Sequence, residues 1–175
     1  MFFRCFQHQK QYLLKKKIGV IILAAGFSVR MGIDKALLPY NEDANFLEHI
    51  ISIYTQFNCK VVIVANPDLS SHIINADVDV VTNHYNQLGR LFSIQMGLKQ
   101  LDKINYCFIQ NIDNPFVNRE LLTQIFNKRF EDGYIVPVYK NKGGHPILLS
   151  SIVMNYLSGI KNYSLTLKQI LSRCN

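Results

Sequence analysis

An uninterrupted apolar run from Ile18 to Leu23 shows no alternation with polar residues. This is the pattern of a parallel strand covered on both faces. Lys60-Val61-Val62-Ile63-Val64-Ala65 repeats the pattern and stops at Asn66-Pro67. β-branched content marks Val78 to Thr82 as a third strand, and Tyr106 to Gln110 reads as a fourth. Between these runs the spacing lengthens to that of helices. Leu47, Ile50, Ile51, Tyr54 and Phe57 line one face after Phe46; Leu91, Ile94, Leu98 and Leu101 line a second. Leu121, Leu122, Ile125 and Phe126 mark a third helix, with Asn118 placed to cap it. Two more are expected, one through Ile152, Val153, Tyr156 and Leu157 behind Ser150 or Ser151, and one through Ile170 and Leu171 behind Ser164 or Thr166. Ala36 to Tyr40 reads as a short extended piece and Asn41 to Asn45 as a turn. Tyr134 to Tyr139 reads as a strand whose Pro137 demands an edge or a bulge.

Repeated alternation of strand and helix predicts an α/β fold, a three-layer α/β/α sandwich around a Rossmann-like, mostly parallel sheet. No linker or repeat divides it, so residues 18–175 are expected to form one domain behind a poorly ordered leader, residues 1–17. The 175-residue length suits a single core, and 49% hydrophobic with 18% charged residues argues against disorder. A formal charge of +7 suits an acidic ligand, a nucleic acid or an anionic membrane surface. The cations are scattered apart from Lys15-Lys16-Lys17, which favours a solvated surface. Cys5, Cys59, Cys107 and Cys174 lie far apart with no zinc-ligand spacing, so neither a metal knuckle nor a disulfide framework is expected. The leader lacks the pattern of a signal peptide, and no run approaches the roughly 20 apolar residues of a membrane span. A cytoplasmic protein with no membrane and no nucleic-acid partner is the expectation.

Chemistry enters at the end of the first strand. Leu23-Ala24-Ala25-Gly26-Phe27-Ser28-Val29-Arg30-Met31-Gly32-Ile33-Asp34-Lys35 is a small-residue loop with two cations, placed where α/β proteins bind phosphates. Ala24, Ala25 and Gly26 allow a bulky ligand close to the backbone, Gly32 permits a tight turn, and Arg30 and Lys35 can converge on one anionic group. The run is neither a Walker A loop nor a dinucleotide fingerprint. Asp113 follows the fourth strand in Asp113-Asn114-Pro115. If the strands are parallel, it shares a sheet edge with the loop. On its own it fits two roles, a carboxylate that holds Mg²⁺ or a cap on the turn before Pro115.

The loop resembles the signature of MobA-like nucleotidyltransferases of the molybdenum-cofactor type: Leu-Ala-Ala/Gly-Gly, a variable stretch, Arg-Met-Gly, two variable residues and Lys. This resemblance covers about Gly19 to Leu171. It implies nucleotide contacts at Leu23, Ala24, Ala25, Gly26, Ser28, Met31 and Gly32, catalytic charge neutralisation by Arg30 and Lys35, and Mg²⁺ on Asp113. Asn83, Gly89 and Ser93, ahead of Gly97-Leu98, are similar to the family segment that contacts base and ribose, with Arg90 a departure from the smaller residues usual there. Gly143-Gly144-His145-Pro146 resembles the Gly-His-Pro of the cytidylyltransferase branch, which implies acceptor binding at His145 and Pro146. Read without the resemblance, these last two segments fit ordinary capping and turn structure equally.

Ala25 stands where guanylyl-transferring relatives have Gly, so CTP is the expected nucleotide. The implied reaction is transfer of a nucleoside monophosphate to a phosphorylated acceptor, molybdopterin or its molybdenum form, with release of pyrophosphate. Other readings are a transferase for a sugar phosphate or similar metabolite, and a catalytically weak nucleotide carrier. Relatives usually continue into a closing segment with a second metal-binding carboxylate, whereas this chain is expected to lack it after Arg173-Cys174-Asn175.

Overall fold

The structure is a computed structural model that describes residues 17–26 and 34–174. Its six-stranded sheet has the order β3-β2-β1-β4-β8-β5. These are β1 Ile18–Ala24, β2 Lys60–Ala65, β3 Val78–Thr82, β4 Tyr106–Asn111, β5 Tyr134–Ile135 and β8 Ile147–Ser150. β3, β2, β1 and β4 run parallel, β8 is antiparallel to β4, and β5 is antiparallel to β8. The sheet is therefore mixed but mostly parallel, as expected.

Alternation along β1 separates two cores. Ile18, Val20, Ile22 and Ala24 face the helices Phe46–Gln56 and Arg119–Asn127. Ile21 faces the helices Gly89–Leu98, Ser151–Gly159 and Leu167–Leu171. Helices thus cover both faces, which is why the central strands are apolar throughout. Gly97 allows the closest of these approaches: a Cβ built there would lie 2.7 Å from Ile21 Cγ2. Caps set the helix starts as the side-chain chemistry predicts. Asn118 accepts from Leu121 N, Ser150 from Val153 N, and Thr166 forms a capping box with Gln169.

Three expectations are corrected. Residues Lys35–Leu37 form a 3₁₀ turn rather than extended chain, because the Asp34 carboxylate accepts from Ala36 N and Leu38 N bonds back to Lys35 O. The strand expected over Tyr134 to Tyr139 is broken at Pro137, which has no N–H to give to a ladder. Its first half is β5; its second, β6 Val138–Tyr139, pairs instead with β7 Lys142–Gly143 in a separate hairpin. Finally, β8 is a strand that the pattern did not mark, because its four residues lie directly against the helix that Ser150 caps.

Candidate functional site

Parallel pairing brings the strand ends level. Leu23 of β1 is registered with Val64 and Asn111, and Ala65 with Thr82. The segments leaving β1, β3 and β4 therefore emerge on one edge, around a cleft of about 280 Å³. Its wall includes Leu23, Ala25, Gly26, Asp34, Lys35, Gly89, Arg90, Ser93, Asn111 and Asp113. The shared edge expected of Asp113 and the first loop is met at the loop's described ends, Ala25–Gly26 and Asp34–Lys35, and the start of the helix Gly89–Leu98 lies there too.

The sequence-expected residues divide by the strand period. Leu23 and Ala25 reach the cleft, but Ala24 is 1% exposed and packs in the opposite core, so any contact from it would be through its backbone. Ser28, Arg30, Met31 and Gly32 lie outside the described residues. Lys35 opens the 3₁₀ turn that Asp34 caps by accepting from Ala36 N. The Asp34 carboxylate in turn accepts from Asn66 Nδ2 at 3.1 Å.

Gly89 opens a ten-residue helix at the cleft, with φ +81° and ψ −174°, a region essentially reserved for glycine. Gly89 N–H donates to Asn86 O, and no side chain caps this helix start, so the N–H groups of residues 90–92 and the positive dipole end have no side-chain partner beside the cleft. Arg90 adds a cation there and Ser93 lies one turn on. Asn83 does not line the cleft. It is wholly buried, donates to Ser93 Oγ at 3.0 Å and accepts from Tyr85 N at 2.8 Å, bracing the loop behind Ser93.

Asp113 is held by groups that sequence reasoning missed. Gln110 is fully buried; its amide donates to the carbonyls of Asn111 and Asn114 and accepts from Tyr54 Oη. These bonds clamp both sides of the turn that carries Asp113, while Asn114 Nδ2 donates to Asp113 Oδ1 at 2.8 Å. The signal was legible: Gln110 is the polar end of the otherwise largely apolar run Tyr106 to Gln110.

His145 sits behind the cleft wall, against Asn111 and the Ile109 carbonyl. Burial lowers its pKa first; the Ile109 carbonyl raises it, Arg90 lowers it and Asp113 raises it. Pro146 is buried at the start of β8, away from the cleft wall. Asp34, Asn86, Arg90, Asn111 and Ile112 complete the wall without having been proposed for it.

A small-residue loop, level parallel strand ends and an uncapped helix start around one cleft define an α/β nucleotide-binding protein. The chain belongs to the MobA-like NTP transferase domain family, whose model matches residues 20–173, and is a nucleotidyltransferase of that type. It is 30% identical over 137 residues to the molybdenum cofactor cytidylyltransferase of Escherichia coli, covering 76% of this chain and 70% of the relative. It is 25% identical over 166 residues to a probable molybdenum cofactor guanylyltransferase of Bacillus mycoides, covering 91% and 82%. Among solved structures, Rv0371c of Mycobacterium tuberculosis superposes with a TM-score of 0.73 at 24% identity, over 83% of this chain and 77% of that one. A second structure of Rv0371c is a complex with manganese, with a TM-score of 0.68 at 22% identity and the same coverage. These likenesses establish the fold. Among the described residues no helix is long and apolar enough to cross a membrane.

Proposed function

We propose that the protein transfers a nucleoside monophosphate, with CTP favoured as donor, to a phosphorylated acceptor of the molybdopterin type. The observation that carries this reading is the cleft that Lys35, the start of helix Gly89–Leu98 and Asp113 share. Cations, helix-start N–H groups and the Asp113 carboxylate line this one cleft, which suits a triphosphate and a counter-ion. Ala25, whose residue is part of the cleft wall, supports CTP through the family resemblance. The E. coli relative is named for cytidylyl transfer and the Bacillus one for guanylyl transfer, so base choice is the first thing to measure.

Mg²⁺ fits the oxygen chemistry of Asp113, since this ion takes one or two carboxylates and completes its shell with water and phosphate oxygens. Among the described residues no cluster of three or more His, Cys, Asp or Glu competes as a metal site. When bound, the ion supplies charge neutralisation at the phosphates.

The chain's own residues supply alignment and electrostatics. A terminal phosphate oxygen of the acceptor forms a bond to the α-phosphorus of the nucleotide, while the bond from that phosphorus to the β-bridging oxygen breaks. Pyrophosphate leaves with the electron pair. The nucleophile is already anionic at neutral pH, so no strong general base is required. Lys35 and Arg30 would balance charge on the transferred and leaving groups, and the amides of the first loop and of residues 90–92 would cradle them. Asn83 would set Ser93 toward the nucleoside.

Pyrophosphate release tests the reading, with CTP, GTP, UTP and ATP each offered molybdopterin, sugar phosphates or polyol phosphates, with and without Mg²⁺. Release specific to CTP, molybdopterin and Mg²⁺ is expected. Nucleotide binding without pyrophosphate from any pair would instead mark a carrier.

A further inference from the structure

Asn111 ends β4 in the cleft wall and is only 7% exposed. Its amide terminates a short chain of hydrogen bonds. The main-chain oxygen of Ile109 can only accept, so His145 Nδ1, 3.2 Å away, carries the proton. Burial disfavours a second proton on the ring. Nε2 is therefore an acceptor, and the Asn111 NH₂ donates to it at 2.8 Å. This fixes which way the amide points.

Asn111 Oδ1 is thereby left buried and without a hydrogen-bond partner, a state that native structures seldom tolerate. Asn86 Oδ1, in the same wall, is a second such acceptor. Ionised phosphate groups cannot satisfy either oxygen, because they too present acceptors. What suits both oxygens is a donor, which the phosphates lack and other parts of the substrate carry.

We propose that Asn111 orients the bound substrate, its Oδ1 accepting a hydrogen bond from an O–H or N–H of the substrate while His145 holds the amide in place. The assignment rests on the nucleotidyl-transfer reading. The donor is a hydroxyl of the nucleotide sugar or an N–H of the pterin acceptor, two sources of the same hydrogen bond. His145, with both ring nitrogens engaged by the protein, is a positioning residue that acts through Asn111.

Two measurements on Asn111→Leu separate the sources. Calorimetry with CTP, 2′-deoxy-CTP and 3′-deoxy-CTP reads the sugar; pyrophosphate release with molybdopterin varied at saturating CTP and Mg²⁺ reads the acceptor. For a sugar hydroxyl, the wild type favours CTP over one deoxy analogue by about five- to tenfold and Asn111→Leu abolishes that preference. For an acceptor N–H, KM for molybdopterin rises by a similar factor with little change in kcat. If the nucleotide preference and KM both match the wild type, the proposal falls.

The substitution also strips His145 of its donor, so the wild type is titrated in parallel by ¹⁵N NMR. The side-chain NH₂ signals of Asn111 shift on adding CTP or molybdopterin; signals unmoved by both overturn the assignment. A wild type that releases pyrophosphate while ignoring Asn111 sinks this inference alone. One that neither binds a nucleoside triphosphate nor releases pyrophosphate sinks the nucleotidyl-transfer reading as well.

Discussion

Asn66 and Asp34, 32 positions apart in the chain, are joined by a 3.1 Å hydrogen bond from the Asn66 amide to the Asp34 carboxylate. The other carboxylate oxygen caps the turn that begins with Lys35. Asn66 also caps its own short helix, Pro67–Ser70, through Leu69 N. Asn66, just past the end of β2, therefore braces the turn that carries the Lys35 cation.

If that brace matters, Asp34→Ala lowers kcat by about tenfold while leaving nucleotide affinity within a few fold. Loss of the cap also costs about 1 kcal/mol of stability. Steady-state kinetics and a urea melt measure the two effects. Unchanged kcat in a folded variant would show that the turn keeps Lys35 in place by itself.

Lys35→Ala removes the cation outright. The expected loss is about 10²–10³ in kcat, by analogy with other preorganised groups that stabilise developing charge. Arginine at the same position should restore only part of it, because its planar fork does not reproduce a compact ammonium. Full turnover in Lys35→Ala would refute the assignment.

Gly97→Ala tests the packing of helix Gly89–Leu98 on β1. A methyl group would meet the Ile21 side chain at 2.7 to 3.0 Å in the second core. Alanine gains about 1 kcal/mol in helix propensity, yet overpacking costs about 1–3 kcal/mol. Net destabilisation is expected, read as a lower urea midpoint at constant slope.

Acidification tests His145. Its folded pKa is lowered from 6.5, chiefly by burial, so the unfolded chain takes up the proton first as pH falls. Its contribution to stability is complete above 6.5 and is lost as pH drops through the lower folded value. Between pH 7 and 5 the wild type should therefore lose more thermal stability than His145→Gln. Parallel losses in the two proteins would deny that the ring is held neutral.

Much of this was legible in one dimension. β2 and β3 have the bounds that their apolar runs predict, and Asn118 and Thr166 cap helices because a short polar side chain before an apolar periodic run has few better partners. The first loop and Asp113 were legible as chemistry because their residue types suit anions and metals. Asn86 and Asn111 were not: an isolated Asn carries no sign of whether its amide will be satisfied, exposed or orphaned. Asn83 was marked as a nucleotide contact, and only folding turned its side chain inward to Ser93.

The amino-acid order by itself determined the alternating strands and helices, the double-covered parallel sheet and the family of the first loop, since periodicity and local caps are short-range properties. Tertiary structure alone decided that Asp34 answers to Asn66, that Gln110 clamps the Asp113 turn, and that His145 holds Asn111. Those contacts cross strands or close a folded turn, and their partners are chosen by register and burial, which exist only once the sheet has formed.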